Sequence, residues 1–193
     1  MIDKAKIRTA MTSIIKAIGE NPDREGLVDT PRRVADMYAE LFMGLEMDPT
    51  EELKVGFEEG HREMVILRDI PFYSMCEHHL LPFYGVTHIG YIPNTDGRVV
   101  GASKLARVVE IVARRPQLQE RMTSQIADAI VDGIKPEGVG VVIQAEHLCM
   151  IMRGIEKPGS RVVTSAVRGT FRSKSKTRAE FFSLLQSKQG YLS

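Results

Sequence analysis

The chain has 193 residues, 43% of them hydrophobic and 26% charged, a balance that fits one globular protein with a core of ordinary size. A net charge of +1 and the lack of any apolar run of about 18 residues argue against a nucleic-acid partner and against a membrane-spanning helix. The opening Met1-Ile2-Asp3-Lys4-Ala5-Lys6 has no apolar signal core, so a cytoplasmic location with reduced thiols is expected.

In chain order, Asp3 can cap a first helix that carries Ile7, Met11, Ile14, Ile15 and Ile18 at helical spacing and stops at Gly19. A turn-rich linker, Asn21 to Gly26, leads to Thr30-Pro31, which reads as an N-cap and first-turn proline. The second helix then lines up Val34, Met37, Tyr38, Leu41 and Phe42, with Arg32 and Arg33 in its first turn. Asp48 to Gly60 is polar and reads as irregular with at most a short helix, and His61 as exposed. From Glu63 the texture changes to strands: one runs from Met64 through Tyr73 to a turn at Cys76, another from Phe83 to Ile92, closed by Pro93-Asn94-Thr95-Asp96-Gly97. His88, within the second of these, reads as packed or paired rather than as a ligand. Ser103 opens a helix with Leu105, Val108, Val109 and Val112 inward, and Gln117 to Ile134 reads as the next helix. Gly138 to Glu146 reads as a buried strand, Arg161 to Phe171 as a last strand, and Thr177-Arg178-Ala179-Glu180 as the capping box of a final helix. Helices, strands, helices, strands and helix make an α+β order, not a βαβ repeat.

Chemistry concentrates in Cys76-Glu77-His78-His79 and in His147-Leu148-Cys149. Thiolate with imidazole is a donor mixture that zinc prefers, and each stretch lacks ligands that the other offers. On a strand His147 and Cys149 would face the same side. Cys76, His79 and Cys149 leave a fourth position for water, as catalytic zinc sites do, whereas closure by His78 or His147 would make the metal structural. A lone nucleophilic Cys76 is a further alternative, which the second thiol beside His147 disfavours. Ser103-Lys104-Leu105-Ala106-Arg107 could seat a phosphate, although capping Ser and solvated Lys and Arg are common, and no Gly-rich P-loop is present.

Cys76-Glu77-His78-His79, Gly101 to Arg107, Arg115 to Arg121, His147-Leu148-Cys149-Met150 and Met152-Arg153-Gly154 together resemble GTP cyclohydrolase I, in that family's order and approximate spacing from Gly26 to Phe182. Ala102 stands where the family more often has Leu, a difference of packing rather than chemistry. The resemblance implies conversion of GTP and water to 7,8-dihydroneopterin triphosphate and formate, the first step toward tetrahydrofolate and other reduced pterins. It implies Zn2+ held by Cys76, His79 and Cys149, proton transfer by His78 and His147, and a part for Ser103 in the ribose rearrangement. Glu120, with Gln119 beside it, would read the guanine edge; Lys104, Arg107, Arg153 and Arg33 would meet the triphosphate. The implied architecture is the tunnelling fold: an antiparallel sheet with helices packed on one side, residues 1–60 as an N-terminal helical region and 61–193 as the catalytic domain. The implied assembly is a barrel-like homo-oligomer, a decamer, with sites between subunits.

Overall fold

The computed structural model describes residues 2–186. Helix α1, Lys4–Ala17, starts where Asp3 accepts a hydrogen bond from the Lys6 amide. Helix α2, Thr30–Leu41, packs against it, with Pro31 in the first turn. The helix already includes Thr30, so Asp29 stands at the cap position and makes no side-chain cap bond. The apolar spacing of α1 buries Ile15 only, leaving Ile14 51% and Ile18 72% exposed. The polar stretch that follows forms two single 3-10 turns, Met43–Glu46 and Pro49–Leu53, and Leu53 is fully buried. That anchor explains why the stretch is ordered despite its polarity.

The central sheet has five strands in the order β5-β2-β3-β6-β7. They are β2, Val65–Cys76; β3, Pro82–Ile92; β5, Pro116–Gln117; β6, Gly138–His147; and β7, Val162–Gly169. A separate two-residue pair joins β1, Phe57–Glu58, to β4, Arg98–Val99. The long pairings are all antiparallel, and only β5 runs parallel to its neighbour. Gln117, expected to open a helix, lies instead in strand β5. Leu118 is extended, so helix α4 begins at Gln119 and runs to Ile134. This small correction matters, because it pins Gln117 beside Cys76.

Helix α3, Ala102–Ala113, and α4 cover one face of the sheet. Leu105, Val108 and Val112 from α3 and Met122, Ile126 and Ile130 from α4 meet Phe83, Ile89, Tyr91, Val139, Val141 and Ile143 from β3 and β6, every one nearly or wholly buried. The alternation along β6 sends Val142 and the glycines to the other face. There Gly90 and Gly140 sit opposite each other across β3 and β6. A Cβ at either would lie 2.7–2.8 Å from the rings of Phe171 or Phe181, so two bare glycines make the seat for that aromatic pair. Phe171 comes from α6, Thr170–Ser173, and Phe181 from α7, Ser175–Gln186. Their rings meet edge to face at 5.2 Å. Thus α3 and α4 lie on one side as expected, and the C-terminal helices α6 and α7 cover part of the other.

The last strand ends at Gly169, before the expected Phe171, because Gly169 takes φ +57 where a Cβ would strike Glu137 O. Helix α7 is under way two residues before Thr177, so Thr177 and Glu180 lie inside the helix instead of capping it. His88 is buried, and its Nδ1 accepts from the Asp69 amide at 3.1 Å beside a bulge in β2. It belongs to the sheet, as expected for a packed histidine. No helix among the described residues is long and apolar enough to cross a membrane.

Candidate metal and substrate site

Strand β2 ends at Cys76, and the chain turns back at once into β3. The Cys76 amide donates to Leu81 O at 2.9 Å and the Leu80 amide to Cys76 O at 2.8 Å, with Leu80 at φ +50. The Glu77 amide donates to Gln117 O at 3.0 Å, so the turn is held from the β5 side too. This tight loop folds the His79 ring back toward Cys76, with Nδ1 3.9 Å from Sγ.

Cys149 arrives from the other side of β3. The sequence argument placed it on a strand, but β6 ends at His147 and residues Leu148–Ile151 form one helical turn, α5. Cys149 reaches the cluster from α5, which packs against β3, not through strand alternation. The candidate donor atoms of Cys76, His79 and Cys149 all lie within 4.8 Å of one another. Burial pushes the Cys149 thiol above its ordinary value, and the Cys76 sulfur beside it pushes the same way. A cation among the three would reverse both effects, since a coordinating thiol gives up its proton.

His147 and His78 flank this trio differently. His147 is half-buried, stacked on Phe83 at 4.6 Å and 4°, and 2.8 Å from Gln119 Oε1. Burial lowers its pKa, and the charge of Glu120 opposes that shift. His78 is exposed and meets the His79 ring edge to face at 6.1 Å. Glu120 is exposed in the first turn of α4. Arg153 Nη1 lies 3.3 Å from His79 Nε2, which brings a guanidinium to the same place. Next to the cluster Arg121 forms a two-pronged ion pair with Glu77, and that pair holds the Glu77 carboxyl below the usual carboxylate range.

The other sequence-predicted residues lie elsewhere. Ser103 is exposed near the start of α3, where Gly101 takes the cap position. The Tyr91 hydroxyl, at the Ile92 end of β3, accepts from the Val100 amide at 3.2 Å. His147 instead pairs with Phe83, at the opposite end of the same strand. Eight residues of strand separate Phe83 from Tyr91, about 26 Å at the usual rise. Lys104 and Arg107 stand at the far end with Ser103, both turned to Glu52, at 3.1 and 3.6 Å. Arg33 is exposed on α2 and pairs with Asp29 at 3.6 Å. The chain therefore brings together Cys76, His79, Cys149, His78, His147, Gln119, Glu120 and Arg153, and keeps Ser103, Lys104 and Arg107 at the other end of β3, while Arg33 pairs with Asp29 on α2.

A family model described as GTP cyclohydrolase I matches residues 7–186. The chain belongs to the GTP cyclohydrolase I family. It is 69% identical to GTP cyclohydrolase 1 of Dehalococcoides mccartyi over 97% of this chain and all of that one. Identity to GTP cyclohydrolase 1 of Carboxydothermus hydrogenoformans is 63%, covering 96% of each chain. For the Thermoanaerobacter pseudethanolicus relative, also GTP cyclohydrolase 1, it is 59% over 98% of this chain and all of that one. An enzyme of this family acts on GTP and water, and the largely antiparallel sheet carries α3 and α4 on one face.

Two features were not read from the sequence. Glu52 lies inside a polar stretch, and nothing in its neighbours marks it. Gln119, expected beside Glu120 at the guanine edge, is 1% exposed, with its Oε1 2.8 Å from His147 Nε2. A signal for this existed: Gln119 and Thr123 are polar residues four apart on the stripe of α4 that also carries Met122, Ile126 and Ile130.

Proposed function

We propose that the chain is a zinc-dependent GTP cyclohydrolase I that opens the guanine imidazole ring of GTP, yielding 7,8-dihydroneopterin triphosphate and formate. This would be the first step toward tetrahydrofolate and related pterins. The observation that carries the reading is the Cys76, His79 and Cys149 trio, whose donor atoms lie within 4.8 Å of one another. Two thiolates and one imidazole suit zinc, and three protein ligands leave a position for water. When bound, zinc would supply Lewis acidity and lower the pKa of that water toward neutrality.

The protein's own groups do the rest. His147, held on Phe83, and His78, on the exposed side of the loop, move protons to and from the ring atoms. Glu120 accepts the guanine ring N–H and exocyclic amine, a donor pair that adenine does not present. Arg153 meets the triphosphate from the zinc side. Lys104 and Arg107 bind the same triphosphate from a second chain, Arg33 does so from the helical region of residues 1–60, and Ser103 assists the ribose rearrangement. Residues 61–193 act as the catalytic domain. What supports the shared site is distance, because about 26 Å of β3 lies between the end that carries His147 and the end near Ser103. A ring-shaped homodecamer would bring opposite ends of two sheets together. A cytoplasmic location fits the two free thiols that the site needs.

The test is direct. Purified protein should carry about one zinc per chain, and with GTP it should release formate and a product that fluoresces as a pterin after oxidation. Chelation should abolish both signals, and zinc should restore them. Full turnover by zinc-free protein would overturn the reading.

A further inference from the structure

Gln119 is almost wholly buried, and its amide makes four polar contacts. Nε2 lies 3.2 Å from Ile143 O, 3.0 Å from Val162 O and 3.1 Å from Thr164 Oγ1. Backbone carbonyls only accept, so the atom facing them must be the NH2 group, and the amide cannot be flipped.

The hydroxyl contacts agree with that direction. Thr123 Oγ1 lies 2.6 Å from Gln119 O and must donate to it. Its other contact, with Thr164 Oγ1 at 2.6 Å, must then be donated by Thr164. Thr164 in turn has lone pairs left for Gln119 Nε2. Hydrogens run one way round a closed circuit, from the Gln119 amide to Thr164, to Thr123, and back to the Gln119 carbonyl. Gln119 Oε1 is thereby committed toward His147, 2.8 Å away, and it can only accept. His147 Nε2 must carry the hydrogen.

We propose that Gln119 is a positioning residue that locks His147 in the Nε2–H form, so that every proton His147 exchanges passes through Nδ1. The role is one for the GTP reaction and rests on reading His147 as a proton-transfer group. Nε2 keeps its hydrogen because its one partner among the described residues, Gln119 Oε1, is an acceptor. Stacking on Phe83 at 4.6 Å and 4° fixes the plane of the ring. Together the two contacts leave one nitrogen in one direction for chemistry, where an unheld imidazole would offer either. Gln119 then lies behind His147 and needs no contact with substrate.

Solid-state nitrogen NMR on zinc-loaded, histidine-labelled protein reads the tautomer, with the His147 signals assigned by their loss in His147→Asn. Wild type should show His147 with hydrogen on Nε2 and a bare Nδ1 when neutral. Gln119→Met, which keeps length but loses the acceptor, should give mixed tautomers. Its kcat should fall roughly 10-fold to 100-fold, the range for loss of an orienting partner, with KM for GTP little changed. Thr164→Val, which breaks the circuit but leaves Gln119 in place, should give a smaller shift of the same kind. Hydrogen on Nδ1 in wild type would overturn the proposal with no variant needed. So would unchanged tautomer and kcat in Gln119→Met, or a rise in KM alone, which would return Gln119 to substrate contact. His147→Ala tests the separate premise: normal turnover there would remove the proton-transfer role of His147 whatever the tautomer.

Discussion

The two ends of the β3 strand are built on different plans. At the Phe83 end, Cys76, His79, Cys149, His147 and Gln119 are fixed by turns, a parallel strand contact and a buried circuit of hydrogen bonds. At the Tyr91 end, Ser103 and Arg107 are exposed, and the two cations Lys104 and Arg107 share the single carboxylate of Glu52. One end is held rigid before any ligand arrives. The other offers charge that a phosphate can attract only by competing with Glu52. Reaction chemistry needs fixed atoms within fractions of an ångström, whereas phosphate binding tolerates longer and more mobile side chains. On the proposed reading, bond-making and substrate capture sit on separate parts of the chain, and a second copy completes the site.

Variants at the two ends should fail differently, and the largest failure belongs to the rigid end. Cys149→Ser should lose zinc and all measurable turnover while the circular dichroism spectrum stays close to wild type, since Cys149 lies at the edge of the core. Zinc content with normal activity in this variant would remove the distinction between the ends. Next comes His78→Ala, which should retain zinc and lose roughly 10²-fold in kcat. Zinc loss there would make His78 a ligand and the metal site closed. Glu120→Gln should leave zinc in place and cost about 1–3 kcal/mol in kcat/KM for GTP, because a guanine donor would then face the amide NH2. Unchanged GTP kinetics would return Glu120 to an ordinary exposed helix residue.

Much of this organisation was legible in the sequence, for physical reasons. The candidate metal ligands stand out because the chain has two cysteines, each beside histidines, and zinc restricts donors to few residue types. The long helices and strands follow from apolar periods, as in Leu105, Val108 and Val112. Short elements were not legible. β5 is two residues whose pairing with Cys76 depends on tertiary contact, and α5 is a single turn with no period to detect. The separation of Ser103 from His147 was hidden as well. Both lie in recognisable motifs, and motif order says nothing of which end of a sheet each will occupy. The burial of Gln119 against His147 was hidden too, because its neighbour Glu120 on the same turn is exposed and motif order does not separate the two.

The shared site is the claim on which the comparison of the two ends depends, and complementation tests it most directly. Lys104→Ala alone should raise KM for GTP, since a charge-assisted phosphate contact contributes about 1.5–3 kcal/mol, and Cys149→Ala alone should be inactive. Arg33→Ala can replace Lys104→Ala as the first partner in a parallel experiment. Co-expression of the two mutants, with subunit mixing confirmed by mass spectrometry, creates sites that take Lys104 from one parent and the metal cluster from the other. Those sites carry neither lesion, so the mixed oligomers should contain a fraction of sites with wild-type KM that neither parent possesses. If each chain's Lys104 served its own cluster, every site would carry one lesion. Mixed oligomers showing only the Lys104→Ala kinetics would contradict the account.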